Sequence, residues 1–373
     1  MSRFRTTHTG SLPRPEKLLE LVFAREAGEA VDAALFDVAV EEATAGVIAR
    51  QLEAGVDIVG DGEMSKPSYA TYIKHRLSGF GGEAGSYEFQ DLEEFPGTKA
   101  QVFGNRGRAK RSAPACTAEI AVRDMEAPRL DAERLKRLAG GRETFMSAAS
   151  PGVTALFFPN RFYKDDEEYV FAIAEALRHE YETIAGAGIT LQLDCPDMAM
   201  GRHVQFTGLS LEEFRKKLAM NVAALNHALR NIPAEQLRMH LCWGNYPGPH
   251  HCDVPLAEIA DIVWQARPQT VLIEGANPRH AHEYAFFEDH ELPEGKVLCP
   301  GLIEPQSVYI EHPELIAQRI GRYADLVGRE RVMAGVDCGF SVHAGSGNLD
   351  PELVWAKLAA LAEGAAIASA RYW

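Results

Sequence analysis

The sequence has too little positive charge for a nucleic-acid binder. Its 38 Lys and Arg stand against 53 Asp and Glu, a net charge of −15, whereas such proteins carry a basic footprint. It has no unbroken apolar run of about 18 residues, the length a membrane helix needs. The opening stretch "MSRFRTTHTGSLPRP" lacks the apolar core of a secretion signal. The expectation is a soluble, cytoplasmic protein with no membrane partner. Cysteine is scarce as well: six in 373 residues, at positions 116, 195, 242, 252, 299 and 338. That is too few and too scattered for a disulfide scaffold, which leaves metal binding, catalysis or burial for each thiol. Internal repeats and low-complexity tails are missing too.

What is present is material for a sizeable core, with 46% apolar and 24% charged residues. Eight short β-branched or apolar segments recur: "FRTTHTGS" (4–11), "VDIVGDGE" (56–63), "TFMSAAS" (144–150), "GITLQLD" (188–194), "RMHLCW" (238–243), "TVLIEG" (270–275), "KVLCPGL" (296–302) and "RVMAGVD" (331–337). Amphipathic stretches such as "EEFRKKLAMNVAALNHALRNI" separate most of them. Eight strands alternating with helices predict an α/β fold, specifically a (β/α)8 TIM barrel. An open doubly wound sheet would show a glycine-rich nucleotide loop after its first strand, and "THTGSLPRP" is a poor one. Residues 1–373 read as one catalytic barrel domain. A Gly-rich, charged insertion of about 81–143 interrupts it after the second βα unit, in the manner of a hairpin excursion over one face.

Barrel chemistry sits at the C-terminal ends of the strands. There the fifth segment ends in His240 and Cys242, the sixth in Glu274, and the eighth in Cys338. One imidazole and two thiolates are a soft donor set for Zn2+, with Glu274 or a substrate atom completing a tetrahedron. A lone buried cysteine is usually a small hydrophobe; three donor types at three strand ends favour a metal. Asp61 and Glu63 end the second segment, and Asp194 and Asp197 the fourth. Asp61 and Asp197 equally suit helix capping, while Glu63 and Asp194 suit a cationic group such as an ammonium. Ser11 offers donors to a carboxylate. The loop "HLCWGNYPGPHHCD" (240–253) offers His250 for substrate contact, although His250, His251 and Cys252 also resemble a second metal cluster.

The ordered motifs "HTGSLPRP", "DGEM", "LQLDCPD", "HLCWGN", "IEG" and "GVDCGF", from Thr6 to Phe340, resemble the C-terminal catalytic barrel of cobalamin-independent methionine synthase and its stand-alone relatives. The resemblance implies His240, Cys242, Glu274 and Cys338 as ligands of a zinc that activates homocysteine as a thiolate, with Glu274 the ligand that yields to the substrate sulfur. It further implies that Glu63 and Asp194 act in catalysis by holding the amino group of the thiol substrate, with Gly10-Ser11 at its carboxylate. Where the family stacks a tryptophan on folate, this chain has Phe157 and Phe158, and a histidine of the family is replaced by Gln306. Both changes fall on the methyl-donor side. The implied activity is methyl transfer to homocysteine in methionine biosynthesis, with a small-molecule thiol and a methyl or alkyl donor as partners. A homo-oligomer suits an acidic chain of this size.

The alternative within the same chemistry is alkyl transfer to another thiol, as in epoxide:coenzyme M transferases. There Lys66 or Arg106 would meet the sulfonate, and the acidic Glu63/Asp194 pair argues against it. A metal-free decarboxylase of the uroporphyrinogen type would leave the His/Cys/Cys set unexplained. A purely structural zinc would be closed by four firm ligands.

Overall fold

The computed structural model describes residues 2–85, 88–104, 114–345 and 349–373. Eight strands are labelled in chain order: β1 (Val59–Gly60), β2 (Leu77–Gly81), β3 (Ala115–Val122), β4 (Thr144–Ala149), β5 (Thr190–Cys195), β6 (Leu237–Leu241), β7 (Thr270–Ile273) and β8 (Val297–Pro300). β1 and β4 to β8 supply the parallel strands of an α/β fold. The chain divides into two compact units. The first comprises residues 1–67, 133–147 and 269–373, and the second residues 68–132 and 148–268.

In the first unit Val59 of β1 pairs in parallel with Thr144 of β4, and Thr270 to Ile273 of β7 with Val297 to Pro300 of β8. Six of the eight segments read from the sequence are these regular strands. The first and last are reduced to single parallel bridges, Thr6 with Ala334, Leu298 with Val332 and Gly301 with Gly335. At Thr6 the Asp57 carboxylate accepts the backbone N–H at 2.9 Å, so a side chain takes the place of a ladder bond. Ile58, Phe145, Leu272, Cys299 and Met333 form a core cluster, which accounts for Cys299 as a buried hydrophobe.

The helix Pro351–Tyr372 is long and apolar enough to cross a membrane by length and composition, with a mean hydropathy of 1.4. Its packing is that of a core helix. It buries Val354, Leu358, Leu361, Ala365 and Ala368, and Gly364 lies so close to Ile316 that an added Cβ would stand 2.5 Å from it. Lys357 on the same helix is buried and paired with Glu311 at 2.8 Å.

In the second unit β5 and β6 run parallel with Asp194 opposite His240. Both strands are almost wholly buried, as expected of strands covered on both faces. Helix Asp166–Gly186 starts at Asp165, whose side chain accepts the Glu168 N–H. Helix Leu211–Ala228 starts with a Ser210/Glu213 capping box. After the second segment comes an antiparallel pair, β2 with β3, irregular between Ser78 and Phe80. Helices Gln90–Glu93 and Pro96–Gly104 lie between its strands. β2 begins at Leu77, and the helix Glu126–Ala139 leads into β4.

Candidate metal centre

In the second unit, β6 delivers His240, and Cys242 follows one residue past its end. They are 3% and 5% exposed, and their ligand atoms lie within 4.8 Å of each other. The Gly244 N–H donates to Cys242 Sγ at 3.3 Å, which favours the thiolate. His240 Nδ1 stands 3.6 Å from Asp194 Oδ1. Asp194 is itself held: Gln192 Nε2 donates to its Oδ1 at 2.8 Å, and Arg238 Nε donates to Gln192 Oε1 at 2.8 Å. Burial disfavours the charged imidazole, but the Cys242 thiolate and the Asp194 carboxylate outweigh it and hold His240 up to about 10. An arriving cation would take the place of that proton.

In the first unit Glu274 directly follows β7. Asn277 Nδ2 donates to its Oε2 at 2.7 Å and Arg279 to the same oxygen at 3.1 Å. The neighbouring loop is built on Asp337. Its Oδ1 accepts the N–H groups of Gly275 and Ala276, and its Oδ2 accepts from the backbone and side chain of Asn277. Burial and the nearby Glu274 push Asp337 up to about 6 against those donors. Cys338, the next residue, is 6% exposed.

Ser11 is buried beside the segment that follows Cys338: Ser341 N–H donates to its Oγ at 3.3 Å and Phe340 N–H to its carbonyl at 3.0 Å. Glu63 has a left-handed backbone, φ +60, rare for a side chain of its size. Its Oε1 accepts from Ser147 Oγ at 2.8 Å. The buried Arg14 guanidinium donates to the carbonyls of Glu63 and Lys66 at 2.9 Å and of Ser341 at 3.0 Å, tying three loops of the unit together. Lys66 is not turned out for a sulfonate, since its Nζ donates to the Ser147 carbonyl at 2.5 Å. Arg106 lies outside the described residues.

Two sequence candidates have other occupations. Phe158 is fully buried, with its ring stacked on Phe80 at 4.4 Å and its carbonyl accepting from Tyr169. That packing leaves no face for a flat donor; Phe157, half-buried and edge-on to Tyr69 at 5.8 Å, keeps more of its ring exposed. His250 is not free for substrate contact. Its Nδ1 faces Asp253 at 3.0 Å and its Nε2 the Tyr246 carbonyl at 3.0 Å. His251 reaches Glu94 at 3.1 Å. Asp197 does not cap the helix that follows it: it accepts from Ser150 at 2.6 Å, the N-cap of the earlier helix Pro151–Phe157.

Sequence reading missed Arg14, Gln192, Asp337, Asn277 and Arg279. Only Asp337, an acid at a strand end beside Cys338, carried a signal that would have found it.

The family model described as cobalamin-independent synthase, catalytic domain, matches residues 4–347. A methionine synthase of Thermococcus kodakarensis is 25% identical over 364 residues, 97% of this chain and 92% of that one. One of Saccharolobus solfataricus is 24% identical over 366 residues, 96% and 93%. A solved B12-independent methionine synthase from Shewanella sp. W3-18-1, in complex with selenomethionine, superposes with a TM-score of 0.75 at 18% identity, covering 99% of both chains. A putative vitamin-B12-independent methionine synthase from Listeria monocytogenes gives 0.66 at 18% identity, covering 100% and 98%. These two likenesses concern the fold.

Proposed function

Because the chain belongs to the family of cobalamin-independent synthase catalytic domains, we propose that it is a zinc-dependent methyltransferase that methylates homocysteine. One observation carries the metal part of this reading: the buried His240–Cys242 pair, with ligand atoms within 4.8 Å and a backbone N–H on the sulfur. A soft Zn2+ ion suits that donor set. His240 and Cys242, with Glu274 and Cys338 as the remaining ligands, would hold it. Bound there, zinc would supply Lewis acidity that lowers the pKa of the substrate thiol, so that homocysteine reacts as thiolate near neutral pH.

The chain's own groups do the rest. The new S–CH3 bond forms as the methyl's bond to its donor breaks, and the donor atom takes up a proton. Glu63 and Asp194 hold the substrate ammonium, and Ser11 lies where a hydroxyl can meet its carboxylate. Arg279 and Asn277 give Glu274 a resting place, which supports Glu274 as the ligand that yields to the substrate sulfur. Asp194 beside Nδ1 of His240 supports a second role, fixing the imidazole. On the donor side, Phe157 is the aromatic we favour for stacking.

The fold reading behind this site is a closed (β/α)8 barrel over 1–373 with the excursion after the second βα unit. Eight segments in the expected order and the two bridged terminal segments support it. Six cysteines without disulfides fit a reducing cytoplasm.

The test is metal content and methyl transfer together. Protein purified without chelator should carry about one tightly held zinc per chain and methylate homocysteine. Cys242→Ser and Cys338→Ser should each lose the metal and the activity. Wild-type protein that transfers methyl groups equally well without metal would sink the zinc reading.

A further inference from the structure

The loop after β6, "WGNYPGPHHCD" (243–253), carries chemistry that methyl transfer does not use. His250 from this loop and His203 from the short helix Gly201–Val204 both turn Nδ1 toward the Asp253 carboxylate. The distances are 3.0 and 3.2 Å from His250 to its two oxygens and 3.3 Å from His203 to Oδ1. All three side chains are buried, the least so being Asp253 at 7%. Ligands on a tetrahedral ion with bonds of about 2.0–2.1 Å stand about 3.3 Å apart; both histidine–carboxylate distances match that spacing, and the three ligand atoms lie within 4.8 Å of one another.

The far sides of the rings decide where their hydrogens are. His250 Nε2 faces the Tyr246 carbonyl at 3.0 Å, an oxygen that only accepts, so Nε2 carries the hydrogen. The Tyr246 hydroxyl donates its one proton to Asp91 Oδ2 at 2.6 Å, so its oxygen accepts from His203 Nε2 at 3.3 Å. The Asp253 carboxylate at Nδ1 of His250 also only accepts, so without an ion His250 holds hydrogens on both nitrogens, and a cation seated between the rings and the carboxylate would take the place of the inner proton. A carbonyl and a hydroxyl holding the outer N–H groups are also the usual supports of metal-bound imidazoles. Asp91 adds negative charge behind Tyr246; it is fully buried, and its Oδ1 has no hydrogen-bond partner among the described residues.

We propose that His203, His250 and Asp253 form a second site for a divalent transition-metal ion, of the two-histidine, one-carboxylate type, separate from the thiolate centre. Lacking sulfur donors, it binds borderline ions more weakly than a cysteine site does. The second ion is therefore filled on titration rather than retained through purification.

Cobalt(II) titrated into the zinc-loaded protein tests this. The expected result is one further equivalent per chain with weak visible bands, no sulfur-to-cobalt charge-transfer band in the near ultraviolet, and no zinc released. The shape-conserving variants Asp253→Asn and His203→Gln should each weaken that equivalent by about tenfold or more, with zinc content and thermal melt close to wild type. The proposal is overturned if wild-type protein takes up cobalt only with zinc release and a thiolate band. It is equally overturned if both folded variants bind the extra ion as tightly as wild type.

Discussion

Asp197 links a single buried carboxylate to the pH response of the protein. Burial pushes it from 3.8 up to about 6, against hydrogen bonds from Ser150 and Asn221. Between those values the native state binds more protons than the unfolded chain, so its contribution to stability is full below about pH 4 and is lost as pH rises through about 6, a swing of up to about 3 kcal/mol. Asp197→Asn removes that titration. The stability of the variant relative to wild type, from urea melts at pH 4.5 and 7.5, should rise between the two by about 2 kcal/mol; an equal difference at both values would disprove it. At this scale His240, Cys242, Glu274 and Cys338 could be put forward as donors from the sequence, because residue type at a strand end is local information. The engagement of His250 by Asp253 and the Tyr246 carbonyl was not, since a histidine's partners are set by folding.

The elements most in need of their backbone shape are the loops after the first two segments. Gly10 has φ +143, and a Cβ there would stand 2.7 Å from Glu63 Oε1. Gly10→Ala therefore meets two penalties, a left-handed backbone costing about 1–3 kcal/mol and displacement of the Glu63 carboxylate. The expected outcome is a loss of stability in that range in denaturant melts, with a raised KM for homocysteine. A normal KM in a folded Gly10→Ala protein would remove Glu63 from substrate binding. The order of elements was readable because buried parallel strands and amphipathic helices have different periods. The reduction of the first segment to a single bridge was not, because the N–H of Thr6 goes to Asp57, about fifty residues away.

For the molecule as a whole, an ion bound only by the native state stabilises it by mass action, by about 2.7 kcal/mol when free metal exceeds its Kd a hundredfold. Chelator-treated protein should then melt about 3 °C below the zinc-loaded form, and readdition of Zn2+ should restore the difference. Melting curves that coincide with and without chelator would contradict a native-state metal.

By itself the sequence determined the class of fold, the alternation of strand and helix, and the soft donor set, because hydrophobic period and donor chemistry are properties of neighbouring residues. Only the tertiary structure decided how those donors are held. Arg14 reaching Ser341, Asp337 gathering the loop after β7, and Asp194 standing against His240 are contacts between residues distant in sequence. The electrostatics of these groups, with His240 held up to about 10 and Asp337 up to about 6, follow from burial and from those contacts, neither of which exists until the chain has folded.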